Sequence, residues 1–90
     1  MPNVQFTRHL RLHFPRLEDV EVPGASLAQI VRNLDELHPG LADYLVDERG
    51  ALRKHVNIFV NDRLLSDRTG LGDEVGPRDR VFIMQALSGG

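Results

Sequence analysis

The chain has no cysteine and no tryptophan among its 90 residues, a single tyrosine, and no excess of basic charge. Without cysteine it can neither build a disulfide framework nor perform thiol chemistry of its own. With 11 Lys and Arg against 13 Asp and Glu, its formal charge of −2 gives no electrostatic footprint for a nucleic-acid backbone. No apolar run approaches the roughly 20 residues needed to cross a bilayer. The start, Met1-Pro2-Asn3-Val4-Gln5-Phe6, lacks a basic stretch followed by an apolar one. Neither a nucleic acid nor a membrane is expected as a partner, and a cytoplasmic location is expected.

What is present is the composition of one ordered domain: 41% hydrophobic residues and 27% charged residues, spread along the chain instead of gathered in a tail. Ninety residues leave room for one hydrophobic core. Val4 and Phe6 alternate with Gln5 and Thr7, the pattern of a half-buried strand. Glu18-Asp19-Val20-Glu21-Val22 alternates in the same way and stops at the turn signal Pro23-Gly24. The two runs are expected to form a hairpin. Their connection, His9 to Leu17, contains Leu10, Leu12 and Phe14, and leaves two readings open: a first strand that continues past Arg8, or a loop that packs back on the body.

Ser26 with Gln29 three residues later reads as a capping box, followed by Leu27, Ile30, Val31, Leu34 and Leu37 at helical spacing. This predicts a helix that stops near His38, because Pro39 cannot continue the hydrogen-bond ladder and Gly40 tolerates the turn. Leu41 to Val46 predicts a further short helical turn. The β-branched and aromatic run His55-Val56-Asn57-Ile58-Phe59-Val60 predicts a strand closed by a tight turn at Asn61-Asp62, with at most a short partner strand at Leu64-Leu65. A last strand is expected over Arg80-Val81-Phe82-Ile83-Met84-Gln85.

A hairpin, one covering helix and late strands fit an α+β fold in which a mixed sheet of four to five strands grips one main helix, the ubiquitin-like β-grasp arrangement. Residues 1–86 are read as a single domain of this kind and 87–90 as a flexible tail. If Val56, Ile58, Val60, Val81 and Ile83 face the helix, alternation sends Phe59, Phe82 and Met84 to the opposite face. Adjacent outward apolar positions mark a partner surface, unless a loop covers them.

Little else in the sequence carries chemistry. His9 and His13 have the i, i+4 spacing of two helical metal ligands, but in an extended segment that spacing separates them by roughly 13 Å. They are read as surface histidines, and no metal is expected. The neighbouring acidic pairs Asp35-Glu36, Asp47-Glu48 and Asp73-Glu74 read as solvated charge, and Ser66 and Ser88 have no histidine partner in a motif. Arg53-Lys54-His55 is a short basic cluster that reads as a solvated strand entry or a partner contact.

The remaining feature is the tail Ala86-Leu87-Ser88-Gly89-Gly90, which follows the last strand directly and ends in two residues without a Cβ. Such an end is thin enough to enter a narrow active site on another protein and present an unhindered carboxylate.

With these features together, the chain resembles the MoaD/ThiS family of ubiquitin-like sulfur carriers over nearly its whole length. The matching residues are Val60-Asn61, Thr69-Gly70-Leu71, Val81-Phe82-Ile83 and the terminal Ala86-Leu87-Ser88-Gly89-Gly90. The stretch Arg53 to Asp62 looks most like carriers of the CysO type, which feed a cysteine synthase. The sequence departs from the family pattern at Gln85, where a proline is usual, at Leu87-Ser88, where Val-Ala is usual, and at Pro77-Arg78-Asp79.

The resemblance implies a co-substrate and not an enzyme. An E1-like adenylating enzyme would use ATP to activate the carboxylate of Gly90, and a sulfurtransferase or other sulfur donor would convert it to a thiocarboxylate. A downstream synthase, possible types including a PLP-dependent one, would accept the sulfur for cysteine, molybdopterin, thiamin or a specialised metabolite. A JAMM-type peptidase is a further partner the resemblance allows. Leu87, Ser88 and Gly89 would enter the partner's active site while Phe59, Phe82 and Met84 dock, and no cofactor would be bound to the carrier itself. The alternatives are the small subunit of a molybdopterin-synthase-like enzyme and a non-catalytic β-grasp interaction module.

Overall fold

A computed structural model of the chain describes residues 1–85. Eight elements follow in order: β1 (Asn3–Phe6), α1 (Arg8–His13), β2 (Val20–Glu21), α2 (Leu27–Leu37), α3 (Leu41–Leu45), β3 (Val56–Val60), β4 (Arg63–Leu64) and β5 (Arg80–Gln85). The strands form one mixed sheet in the order β2-β1-β5-β3-β4. The last strand therefore lies in the middle, parallel to β1 and antiparallel to β3. This is the ubiquitin-like β-grasp expected from the element order.

Alternation along the strands builds the core. Val4 and Phe6 of β1, Val56, Ile58 and Val60 of β3, and Val81 and Ile83 of β5 are all buried, and they meet Leu27, Ile30, Val31 and Leu34 of α2 in one cluster. Among the described residues no polar or charged residue is buried, so the core rests on apolar packing alone. Ser26 caps α2 as expected, its Oγ accepting the Gln29 N–H at 3.3 Å. The return bond of the box is shifted by one residue: Gln29 Oε1 accepts from the N–H of Ala25 at 2.8 Å. Asp35 Oδ1 accepts the N–H groups of Gly40 and Ala42 at 3.1 and 3.0 Å and so ties α2 to α3 across the left-handed Gly40, whose φ is 98°.

Four sequence expectations are corrected. The connection after β1 does not extend the strand: it forms the helix α1, whose geometry buries Leu10 fully while leaving Leu12 71% exposed, and then a loop that packs back on the body through Phe14 and Leu17. His9 and His13 consequently lie on a helix and not in an extended segment, and the His13 ring packs on Tyr44 at 4.9 Å. Strand β2 is shorter than the alternating run suggested, spanning only Val20–Glu21, although the Val22 N–H still donates to the Pro2 carbonyl at 3.0 Å. Leu37, expected on the buried stripe of α2, is 55% exposed. It lies about 60° beyond Leu34 around the helix axis, past the edge of the stripe.

Candidate functional site

Strand β5 carries the site because it presents two faces at once. Val81 and Ile83 are fully buried against α2, and Phe82 and Met84 point the other way. Register then decides their neighbours. Phe82 sits directly opposite Phe59, and Met84 opposite Asn57, on the adjacent strand β3. Phe59, Phe82 and Met84 therefore share the outward face of the sheet, as their alternation predicted. All three are half-buried, and they line a shallow depression of about 410 Å³ with Asn61, Asp62 and Arg80.

Hydrogen bonds that periodicity alone could not disclose fix the rim of this patch. Asn61, in the left-handed conformation with φ 57°, donates from Nδ2 to Asp79 Oδ1 at 3.1 Å and accepts the Arg80 N–H on Oδ1 at 3.0 Å. Asp79 Oδ2 accepts the Gly76 N–H at 2.7 Å. That bond first, and then the Asn61 amide and the charge of Arg63, hold the Asp79 carboxyl below its ordinary value against a smaller opposing effect of burial. On the other side, Arg68 reaches 11 residues back to Asn57, donating from Nη1 to Oδ1 at 2.7 Å. Its Nη2 donates to the carbonyls of Arg53 and Val56 at 2.7 and 2.9 Å. Arg68 thereby fixes both the start of β3 and the residue opposite Met84; a single arginine in a loop gave no sequence signal of this.

At the end of β5 the Gln85 N–H donates to Thr7 Oγ1 at 3.2 Å, a bond between residues 78 apart, while the Thr7 N–H donates to the Ile83 carbonyl at 3.1 Å. Gln85 Oε1 is buried and has no partner among the described residues. Thr7 thus anchors the root of the tail, another contribution absent from the pattern-level reading. The tail residues singled out from the sequence, Leu87, Ser88, Gly89 and Gly90, lie outside the described residues. Among the described residues no group of three or more His, Cys, Asp and Glu is placed to hold a metal ion, and no helix is long and apolar enough to cross a membrane.

The remaining loops are held by carboxylates. Asp67 accepts the N–H groups of Thr69, Gly70 and Gly72 at 2.9 to 3.1 Å. Asp73 accepts those of Ser66 and Asp67 at 2.9 and 2.8 Å. Asp67 thereby holds the Thr69-Gly70-Leu71 turn, and Asp73 holds the backbone that leads into Asp67.

Comparison with known proteins agrees with this geometry. The model of the ThiS family matches residues 4–90. The chain is 31% identical over 83 residues to the sulfur carrier protein CysO of Mycobacterium tuberculosis, covering 90% of this chain and 89% of the relative. A chain of the BexX/CysO complex from Amycolatopsis orientalis superposes with a TM-score of 0.85 at 31% identity, with all of both chains covered. Mycobacterium tuberculosis CysO superposes with a TM-score of 0.83 at 28% identity, over 97% of this chain and 100% of that one. A family match that begins in β1 and runs past β5 establishes that this chain belongs to the ThiS family.

Proposed function

We propose that this protein is a sulfur carrier, a co-substrate whose reactive atom is the carboxylate carbon of Gly90. The observation that carries the reading is the ThiS family match through residue 90, on a body 31% identical to a named sulfur carrier. In the proposed cycle the Gly90 carboxylate attacks the α-phosphorus of ATP on an E1-like enzyme and pyrophosphate leaves. The product is a mixed anhydride in which AMP is a good leaving group. A sulfide equivalent from a sulfurtransferase or other donor attacks the carbonyl, AMP departs, and a thiocarboxylate remains.

A soft sulfur nucleophile is then held on a protein handle, ready for a synthase that supplies an activated carbon. By likeness to CysO, a PLP-dependent cysteine synthase is the acceptor we favour, followed by peptidase release. The carrier's own share is recognition and reach: Phe59, Phe82 and Met84 dock, and Leu87, Ser88 and Gly89 thread into the partner, whereas the activating enzyme provides the catalytic groups.

The test is intact-mass spectrometry after incubation with ATP, a sulfur source and the organism's E1-like enzyme. One oxygen replaced by sulfur at Gly90 is the expected result. No conversion of the full chain with the activating enzymes of its organism would sink the reading. Deleting Gly90 abolishes conversion if the terminal carboxylate is the reacting group.

A further inference from the structure

The docking patch and the tail leave the basic cluster Arg53-Lys54-His55 without a role, and its position in the sheet gives it one. The end of β5 is flanked on one side by the end of β1 and on the other by the start of β3. Phe6 pairs with Ile83 and Val56 with Gln85. On the first flank the chain continues from Thr7, which holds Gln85, into Arg8. On the second it enters Val56 from Lys54 and His55.

Arg8 and Lys54 are both exposed, and neither forms an ion pair among the described residues. Arg53 is already engaged: its Nε donates to the Asp43 carbonyl at 3.1 Å, and its charge lies close enough to Asp47 to lower that carboxyl. The His55 ring meets Tyr44 edge-on at 6.2 Å. No acidic residue occurs anywhere in residues 1–17, so the first flank carries no compensating carboxylate of its own. On the second flank Asp47 is the carboxylate that feels the charge of Arg53.

We infer that Arg8 and Lys54 form a cationic collar around the root of the tail, which engages an acidic rim at the mouth of the activating enzyme's active site. This rests on the carrier reading. The five residues after Gln85 span at most about 17 Å when fully drawn out. The collar therefore stays at the entrance while Gly90 reaches the nucleotide, too far away to touch its phosphates. Opposite charges at such a rim orient the encounter and raise its rate more than they deepen the final complex.

The test is steady-state thiocarboxylate formation by the full chain with the E1-like enzyme of its organism, at varied carrier, ATP and salt. Arg8→Glu with Lys54→Glu is expected to raise the KM for carrier at least about tenfold and leave kcat within about twofold, with Arg8→Gln and Lys54→Gln in between. Wild-type kcat/KM is expected to fall with added salt, and the double variant's to stay flat. Thermal melts check that these exposed changes leave the fold intact. An unchanged KM for carrier would overturn the inference, as would a change in the KM for ATP instead, or an equal rise from Arg16→Glu. These outcomes leave the carrier reading standing, because wild type still converts; absence of conversion by wild type removes both.

Discussion

The side chain of Asn61 and the carboxylate of Asp79, 18 residues apart, meet at 3.1 Å and close the far end of the β3 and β5 pair. With the Gly76 N–H also bound, Asp79 holds its proton less readily when folded than when unfolded. A carboxyl depressed in the folded state contributes stability above its ordinary pKa, 3.8, and loses it as pH falls through the folded value. Asp47 and Asp67, lowered chiefly by backbone N–H groups, act in the same direction. Asp79→Asn is expected to flatten the acid limb of stability below about pH 4. Urea midpoints measured between neutral and acid pH check this, and an acid limb as steep as in wild type would contradict it.

Asn61 also answers a backbone demand. Its φ of 57° is costly for most side chains, and its amide bonds both Asp79 and the Arg80 N–H. Asn61→Ala loses the bonds and keeps the strain, at an expected cost of about 1–3 kcal/mol. Asn61→Gly, which relieves the strain alone, should recover part of that loss in the same urea titration.

Gly24 is constrained from outside the turn. A Cβ there would stand 2.8 Å from Ile30 Cδ1, at a φ of 155°. Ile30 is fully buried and cannot swing aside freely. Gly24→Ala is therefore expected to destabilise by about 1–3 kcal/mol, whereas Gly50→Ala, with nothing within 4 Å, meets only the strain of its own φ of 85°. Equal losses at the two positions would show that packing against Ile30 is not the cause.

Adjacent residues of β5 should separate folding from docking. Ile83→Ala removes a fully buried side chain and is expected to cost about 2–5 kcal/mol of stability. Phe82→Ala, on the outward face, should cost less stability and instead raise the KM for carrier in the activation assay with kcat little changed. If Phe82→Ala leaves that KM unmoved, the outward patch is not the docking surface for the activating enzyme.

How much of this was legible follows from the range of each interaction. Strands β3 and β5 and the stripe of α2 could be read because their periods are local and their burial is one-sided; the outward placement of Phe59, Phe82 and Met84 came with them. Helix α1 was missed because Leu10, Leu12 and Phe14 mimic strand alternation, while the bond that closes it, from Phe14 N–H to the Leu10 carbonyl at 3.0 Å, has no sequence signature. Arg68, Thr7 and Asp79 act on residues 11, 78 and 18 positions away, where no local pattern reaches.

The central position of β5 also orders events in the life of each molecule. Strands β1 and β3 have no pairing with each other; both are completed only by Arg80–Gln85. A nascent chain that has not yet emerged through Gln85 lacks the ladder joining the two halves of its sheet, and its long-range contacts must wait for that strand. A truncated product that has lost this strand consequently presents no intact grasp for a partner to recognise. Quality control is built into the strand order: the body matures only when the segment leading to Gly90 has already been made.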